Sequence, residues 1–283
     1  MVFVHTHIIK CGGTTFFHIL KKLFGSGFYR DESLIFYQYT AKQMLEIMHN
    51  CPWLKAYSSH KTSLDLPFDA PELDLKAIVF VRDPVDRFLS HYFMHSNRKP
   101  NSLKSAPLAQ ELDLPGYINY ALIEKNLESY IDGQVRFLMK RADQDAIDQI
   151  RTLIENDHVL LFPLSQFDDA CIILEKMFPD FFSDCAYERK NISLRNEEVT
   201  ADHKKLISDH VGNLDHTLLK MSHDFIDKKL AEFVGNEDNI INARNEFSAR
   251  CGQLQSATTH VARKKIKYIS YIAHKLRSIT NIQ

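Results

Sequence analysis

Two short stretches of this chain combine cations, hydroxyls and small residues in a way that is typical of anion-binding loops. The first stretch consists of Lys10, Cys11, Gly12, Gly13, Thr14 and Thr15. It lies between a buried strand predicted over 2–9 and a helix whose apolar stripe covers 16–24. Adjacent glycines let the backbone turn sharply, a helix start presents N–H groups with a partial positive charge, and the lysine adds a full charge. These features predict a site for a phosphate or phosphosulfate group.

The residues alone leave a simpler interpretation of this first stretch open. A glycine turn between a strand and a helix, without any ligand, explains its composition equally well. A Walker A loop is excluded by the order of the residues. That motif, G-x-x-x-x-G-K-[ST], has its lysine after the glycines, whereas Lys10 precedes Gly12 and Gly13.

The second stretch runs from Arg82 to Tyr92 and follows a second predicted buried strand, 76–81. Arg82 stands at the carboxyl end of that strand, where open α/β sheets bind their ligands. Ser90 lies on the helix that begins after it. We expect Arg82 and Ser90 to hold a second phosphate.

The helix of this second stretch is predicted to begin with Asp83 as its N-cap and Pro84 as its first residue. Arg87 shares a face of that helix with Ser90. For Arg87 we favour either a surface ion pair with Asp83 or Asp86, which contributes little to stability, or a role in supporting the binding residues.

Together the two stretches resemble the anion motifs of the sulfotransferases that use 3′-phosphoadenosine-5′-phosphosulfate (PAPS). The run from His7 to Phe16 is similar to that family's 5′-phosphosulfate loop, H-x-P-K-T-G-G-T-[ST], from which it departs at Ile9 and Cys11. The run from Arg82 to Tyr92 is similar to the family's 3′-phosphate motif. The resemblance is closest to the branch that includes heparan sulfate 2-O-sulfotransferases and bacterial carbohydrate sulfotransferases.

Further motifs extend this resemblance over roughly residues 1–235. His60 stands where the branch carries its catalytic histidine, and Ser58 stands where some relatives carry a second one. The segment Gln134-Val-Arg136-Phe-Leu138 is similar to a Q-x-R-[FY]-L motif of the bacterial members. Asp215 begins a segment that resembles the helix start after the family's late loop. The residues that match this late loop, which closes over the nucleotide, are Lys190, Asn191, Ser193 and Arg195.

The resemblance implies in-line transfer of a sulfuryl group from PAPS, without a metal, and release of adenosine 3′,5′-bisphosphate. Lys10 would stabilise charge on the bridging oxygen, and His60 would be the general base, because an imidazole titrates near neutral pH. The loop from Cys11 to Thr15 would hold the 5′-phosphate. The acceptor would be a hydroxyl of a sugar or glycoconjugate. Candidate contacts to an anionic sugar are Lys61, Arg98, Lys99 and Arg136.

Two other functions remain open on the sequence. One is a nucleotide-dependent phosphotransferase, which would need a Walker lysine and a magnesium-binding aspartate; Asp83 follows a strand, but the lysine order is wrong. The other is a non-catalytic nucleotide-binding protein on the same fold. The presence of Lys10, His60, Arg82 and Ser90 argues against that second alternative.

The elements that must position these residues alternate between strands and helices. This alternation predicts an α/β fold with a P-loop-like central parallel sheet flanked by helices, followed by additional C-terminal helices. We expect a sulfotransferase domain over 1–240 and a helical extension over 241–283 that packs on it. An irregular loop, a candidate lid, is predicted over 96–115. The basic amphipathic helix over 261–279 is expected to be a solvated face, with contact to a membrane surface as the alternative.

Composition narrows the class of protein. The 283 residues carry a formal net charge of −1, so no overall basic field indicates a nucleic-acid partner. The five cysteines are widely spaced without a C-x-x-C pair, which argues against a zinc site and favours a reducing compartment. No run is apolar enough to span a bilayer, and the start does not read as a signal peptide. We expect a cytoplasmic protein, with a Golgi-type enzyme lacking its anchor as the less favoured alternative; the oligomeric state is not encoded.

Overall fold

The structure, a computed structural model, describes residues 1–31, 37–97, 107–188 and 197–255. One parallel sheet with the strand order β2-β3-β1-β4-β5 forms its centre. The strands are β1 Val2–Thr6, β2 Phe28–Asp31, β3 Ala56–Ser59, β4 Leu75–Val81 and β5 Val159–Pro163.

Helices cover both faces of this sheet, as buried parallel strands require. They are α1 Gly13–Phe24, α2 Ala41–Asn50, α3 Pro84–Ser96, α4 Pro107–Glu111, α5 Leu114–Ile118, α6 Gly133–Met139, α7 Gln144–Glu155, α8 Phe167–Met177, α9 Ala201–Ser208 and α10 Asn213–Phe233, then α11 over 237–255. The predicted α/β fold with a central parallel sheet flanked by helices is confirmed. None of the described helices is long and apolar enough to cross a membrane.

The strongest local signals of the sequence correspond to real elements. Strands β1, β4 and β5 fall within apolar runs, and almost every residue in them is buried. Asp83 caps α3 by accepting a hydrogen bond from the backbone N–H of Asp86 at 2.9 Å, with Pro84 in the first turn. Strand β2 is not predicted by the sequence, because this short edge strand, Phe-Tyr-Arg-Asp, lacks an apolar run.

The region predicted as an irregular loop over 96–115 is partly helical. Residues 98–106 lie outside the described part of the chain, but α4 and α5 follow immediately. Asp113 caps α5 by accepting from the N–H of Gly116 at 2.9 Å, and Pro115 lies in the first turn, where its missing N–H is not needed. The end of the predicted loop is therefore the start of a helix.

The C-terminal segment packs against the sheet domain as far as the structure describes it. Phe247 on α11 is fully buried in the main hydrophobic core. Arg244 forms a two-pronged ion pair with the buried carboxylate of Asp169, at 2.8 and 2.9 Å, and Arg250 pairs with Glu175 at 2.7 Å. The division into 1–240 and 241–283 stays a prediction, and the basic helix over 261–279 lies outside the described residues.

The register of the sheet sets which residues can meet. Thr6 is aligned with Ser59 of β3 and with Val79 of β4, and Val81 is aligned with Pro163 of β5. All strands run parallel, so the segments that follow them emerge at one edge of the sheet. The glycine loop, His60, Arg82 and the start of α8 therefore share that edge.

Candidate active site

The first anion loop joins β1 to α1 through two residues with left-handed backbone conformations. Lys10 has φ 70° and Gly12 has φ 78°. Gly12 occupies the N-cap position of α1, where no side chain caps the helix and no acidic residue lies in the first turn. The N–H of Thr15 donates to the carbonyl of Gly12 at 3.1 Å, which closes the first turn. The N–H of Gly13 lies in this first turn, where a helix leaves N–H groups without intrahelical partners, and such groups suit an anion.

Both glycines of this loop are required by their surroundings. Gly12 has the positive φ that favours glycine, and a Cβ there would also collide with Leu164. At Gly13 a Cβ would fall on the imidazole ring of His7. The loop can therefore lie against His7 only because residue 13 has no side chain.

Three imidazoles form a stacked column beside the loop. The ring centroids of His5 and His7 are 5.0 Å apart, and those of His7 and His60 are 3.9 Å apart with an interplanar angle of 28°. Burial lowers the pKa of His5 to about 3 and that of His7 well below its usual value, with the nearby charges of His60 and Arg30 acting in the same direction. The two buried rings are therefore neutral, and His60 forms the exposed end of the column.

The hydrogen bond of His60 sets which of its ring nitrogens holds the proton. Its Nδ1 lies 2.7 Å from the backbone carbonyl oxygen of His7. A carbonyl oxygen only accepts, so Nδ1 carries the hydrogen, and in the neutral ring the lone pair belongs to Nε2. This is the tautomer that a general base at the end of β3 would use.

Arg82 lies against the first loop, so the two anion motifs meet. Its Nη1 donates to the carbonyl oxygen of Lys10 at 3.3 Å. The guanidinium of Arg82 thus meets the backbone of the first loop, although the two residues are 72 positions apart in the chain. Ser90, on the following helix α3, is buried.

Arg87 is buried and bonds to backbone carbonyls instead of forming a surface ion pair. Its Nε donates to the carbonyl oxygen of Ile9 at 3.4 Å, and its Nη2 donates to the carbonyl oxygen of Ser129 at 2.9 Å. The expected pairing with Asp83 or Asp86 is wrong; Asp83 caps the helix instead. The supporting role is the one that the contacts favour, because Arg87 holds the residue before Lys10.

One turn beyond Arg87, His91 is also enclosed. Burial lowers its pKa well below the usual value, and the charges of Arg87, His95, Lys10 and Arg82 act in the same direction. Its Nε2 is buried and has no hydrogen-bond partner among the residues that the structure describes. A neutral imidazole therefore lies within electrostatic range of the cations of both loops.

A cavity of about 640 Å³ adjoins the loop on its other side. Gly12 and Thr15 contribute to its wall, together with the segment from Leu164 to Asp169 that follows β5. Tyr187 and three residues of α11 complete the lining that the structure describes, namely Arg244, Asn245 and Ser248. The C-terminal segment, for which the sequence indicated no role, thus forms part of this wall.

Several expected site residues fall elsewhere or outside the described chain. Lys61 is buried, forms an ion pair with Asp31 at 3.4 Å and lies over Tyr39, so it is not placed to contact an acceptor. Arg136 lies 3.8 Å from Glu128. The late-loop residues Lys190, Asn191, Ser193 and Arg195, together with Arg98 and Lys99, are outside the described residues.

Gln134, which the sequence places in a motif without assigning it a role, connects the two anion motifs. Its side chain is fully buried, and it contacts both anion motifs: Oε1 accepts from the N–H of Arg82 at 2.9 Å and from the thiol of Cys11 at 3.4 Å. Burial raises the pKa of Cys11 to about 12, so the thiol stays protonated and can donate. The motif Gln134–Leu138 was the signal for this residue, but its function depends on contacts across the fold.

The described residues contain no group of three or more His, Cys, Asp or Glu side chains arranged to hold a metal ion. All five cysteines are free thiols. The groups that the described site offers are thus cations, hydroxyls, a histidine and backbone N–H groups. Such groups bind an anion and move a proton.

Comparison with known proteins agrees with this chemistry. A model of the sulfotransferase family matches residues 1–160, which is more than half of the chain and includes both loops, His60 and Gln134. The chain belongs to the sulfotransferase family. Sulfuryl transfer is the reaction that this membership indicates.

Two similar proteins illustrate the range of the relationship. An uncharacterized protein of Archaeoglobus fulgidus is 25% identical over 255 residues, which are 85% of this chain and 94% of that protein. The crystal structure of a sulfotransferase from Alicyclobacillus acidocaldarius covers 78% of this chain and 95% of its own, with 14% identity and a TM-score of 0.41. Membership of the family rests on the family model.

Proposed function

We propose that this protein transfers the sulfuryl group of PAPS to a hydroxyl of a carbohydrate or glycoconjugate. The observation that carries the proposal is the contact between the two anion motifs. The guanidinium of Arg82 lies 3.3 Å from the carbonyl oxygen of Lys10, at the entrance of the glycine loop. A ligand with anionic groups at two positions fits such a pair of sites, and PAPS carries a 5′-phosphosulfate and a 3′-phosphate.

The order of groups along the sheet edge supports one orientation of PAPS in the site. Neighbouring strands β3, β1, β4 and β5 bring His60, the glycine loop, Arg82 and the cavity to the edge in that order. Neighbouring strands are about 4.8 Å apart, so the four groups span roughly 14 Å. In our proposal the phosphosulfate occupies the loop, the 3′-phosphate lies at Arg82 and Ser90, and the nucleoside reaches the cavity.

The acceptor then enters on the β3 side. Its hydroxyl oxygen forms a bond to sulfur while the bond from sulfur to the bridging phosphate oxygen breaks, and adenosine 3′,5′-bisphosphate leaves. The hydroxyl proton passes to Nε2 of His60. Lys10 stabilises the negative charge that develops on the leaving phosphate oxygen, a contribution of the kind that dominates group transfer.

The stacked histidine column supports His60 as the base. A base must hold its ring in one tautomer and one orientation. The carbonyl of His7 fixes the proton on Nδ1 at 2.7 Å, and the ring of His7 limits rotation by stacking at 3.9 Å. The carbohydrate acceptor and the heparan sulfate 2-O-sulfotransferase-like branch rest on the resemblance of the segments around His60 and Gln134. A cytoplasmic location is part of the same proposal.

The first experiment is a thermal shift with adenosine 3′,5′-bisphosphate, with ADP, and with ATP and magnesium, on the wild type and on Arg82→Ala. A ligand at 100 times its dissociation constant adds about 2.7 kcal/mol to the free energy of unfolding. We expect selective stabilisation by the bisphosphate, lost in Arg82→Ala. Stabilisation by ATP with magnesium alone would contradict the proposal and favour a phosphotransferase.

A transfer assay tests the enzymatic part of the proposal. The protein is incubated with PAPS carrying labelled sulfur and a panel of oligosaccharides, and label in the acceptor is measured. We expect sulfated product from at least one carbohydrate. Selective bisphosphate binding without transfer to any member of a broad panel would favour the non-catalytic nucleotide-binding alternative.

A further inference from the structure

The amide side chain of Gln134 is bonded on both of its ends. Its Nε2 donates to the backbone carbonyl of Arg82 at 2.9 Å and to Oδ2 of Asp215 at 3.3 Å. Its Oε1 accepts from the backbone N–H of Arg82 at 2.9 Å and from the thiol of Cys11 at 3.4 Å. One buried side chain thus joins the phosphosulfate loop to the start of the 3′-phosphate motif.

These hydrogen bonds satisfy backbone groups of Arg82 that no neighbouring strand of the described sheet reaches. Strand β4 ends at Val81, so the polar backbone groups of Arg82 lie beyond the ladder. The primary amide of Gln134 satisfies both the N–H and the C=O of Arg82, as a neighbouring strand would do. The direction in which Arg82 leaves the sheet is therefore set by Gln134.

Gln134 is itself held by a reciprocal arrangement of two helix starts. The carboxylate of Asp215, on α10, accepts from the backbone N–H groups of Gln134 and Val135 at 3.0 Å each, at the start of α6. The carboxylate of Asp132, just before α6, accepts from the N–H groups of Leu214 and Asp215 at 2.8 and 3.0 Å, at the start of α10. Asp215 of α10 thus caps the start of α6, and Asp132, just before α6, caps the start of α10. These bonds hold the backbone of Gln134 in place.

We infer that Gln134 is a positioning residue that sets the spacing between the phosphosulfate loop and Arg82, and so makes the site select nucleotides that carry anions at both the 5′ and the 3′ positions. The inference rests on the proposed function. Gln134 needs no contact with the nucleotide for this role. It acts through the backbone of Arg82 and the thiol of Cys11.

The physical reason is that two subsites reinforce one another only when their spacing matches the ligand. A bisphosphate engages both subsites at once, so a displacement of one of them removes the joint contribution. A monophosphate engages one subsite and is insensitive to the distance to the other. Loss of Gln134 should therefore change the ratio of the two affinities, whereas a general loss of stability should lower both equally.

The test uses calorimetric titration of the full chain with adenosine 3′,5′-bisphosphate, adenosine 5′-monophosphate and adenosine 3′-monophosphate. In Gln134→Met, a substitution of similar length, we expect the bisphosphate affinity to fall on the order of tenfold or more. The monophosphate affinities should change by less than about threefold, on the grounds that each needs one subsite only. Gln134→Leu, which removes both the acceptor for the Arg82 N–H and the donor to its carbonyl, should lose selectivity in the same direction.

Gln38→Met is the matched control. The amide of Gln38 also donates to a backbone carbonyl, that of Phe137 at 2.8 Å, and within the described part of the chain it forms no hydrogen bond to either anion motif. We expect this variant to bind all three nucleotides as the wild type does.

The results distinguish a failure of the positioning role of Gln134 from a failure of the proposed function. Equal losses for all three nucleotides in Gln134→Met, or an unchanged preference in both Gln134 variants, would overturn the positioning role while the wild type still prefers the bisphosphate. A wild type that binds the bisphosphate no better than the monophosphates would overturn the proposed function and the inference with it.

Discussion

The imidazole of His7 is enclosed between Gly13 and His60. Its ring takes the space that a Cβ of Gly13 would occupy, and it stacks on His60 with 3.9 Å between ring centroids. His7, the first residue of the phosphosulfate-loop motif, thus connects the glycine loop to the exposed histidine. The donor loop and the proposed base cannot shift independently of one another.

Removing the imidazole at position 60 should separate turnover from binding. In His60→Ala we expect kcat to fall by about 10²- to 10⁴-fold, the usual contribution of a general base, while the affinity for adenosine 3′,5′-bisphosphate stays within about threefold. Steady-state kinetics and calorimetry measure the two quantities. Equal losses in both would mean that His60 is structural or binds the nucleotide.

Adding a methyl group at Gly13 should disturb the loop and the base together. The Cβ of Gly13→Ala collides with the His7 ring, so His7 must move, and His60 moves with it. We expect bisphosphate affinity and kcat both to decrease at least tenfold, since small misplacements have large effects on group transfer. Gly252→Ala is the control, because a Cβ there meets no described atom within 4 Å outside its own helix and its chain neighbours. Wild-type kinetics in Gly13→Ala would disprove this coupling.

Neutralising Lys10 should affect the chemical step more than ground-state binding. Lys10→Met retains most of the side-chain length but removes the charge that stabilises the leaving oxygen. We expect kcat to fall on the order of 10²- to 10³-fold, as for other preorganised electrostatic groups. Adenosine 3′,5′-bisphosphate affinity should fall much less. A loss confined to KM, with kcat retained, would assign Lys10 to uniform binding instead.

Mild acid should destabilise the fold through the buried histidines. The pKa of His5 is lowered from 6.5 to about 3 by burial, so between these values the unfolded chain binds a proton that the folded chain does not. The stabilisation that the neutral, buried His5 provides is complete above pH 6.5 and is lost as the pH falls. At pH 5 the free energy of unfolding should be lower by about 2 kcal/mol for this reason.

The measurement for this prediction is urea unfolding at pH 7 and pH 5 for the wild type and for His5→Phe. The substitution retains an aromatic ring against Phe16 and Phe80, which contact the His5 ring edge-on. The variant should lose less stability than the wild type between the two pH values, because its residue 5 does not titrate. An identical loss in the two proteins would show that His5 does not contribute to the acid sensitivity.

The sequence by itself determined the features that depend on neighbouring residues. The apolar runs over 2–9 and 76–81 predict the two strands that precede the anion loops, and the pair Asp83 and Pro84 predicts the start of α3. Such signals are local, because strand burial, helix capping and glycine turns act over a few residues. The edge strand β2 carries no such signal and was missed.

Only the tertiary structure decided which distant groups meet. Gln134 contacts Cys11 across 123 residues of sequence and Arg82 across 52, and Arg87 is buried against Ile9 rather than exposed beside Asp86. The stacking of His7 on His60 likewise depends on the pairing of β1 with β3. Composition and spacing predict which groups can bind an anion or move a proton, but the distances between them follow from strand order and packing, which no short segment contains.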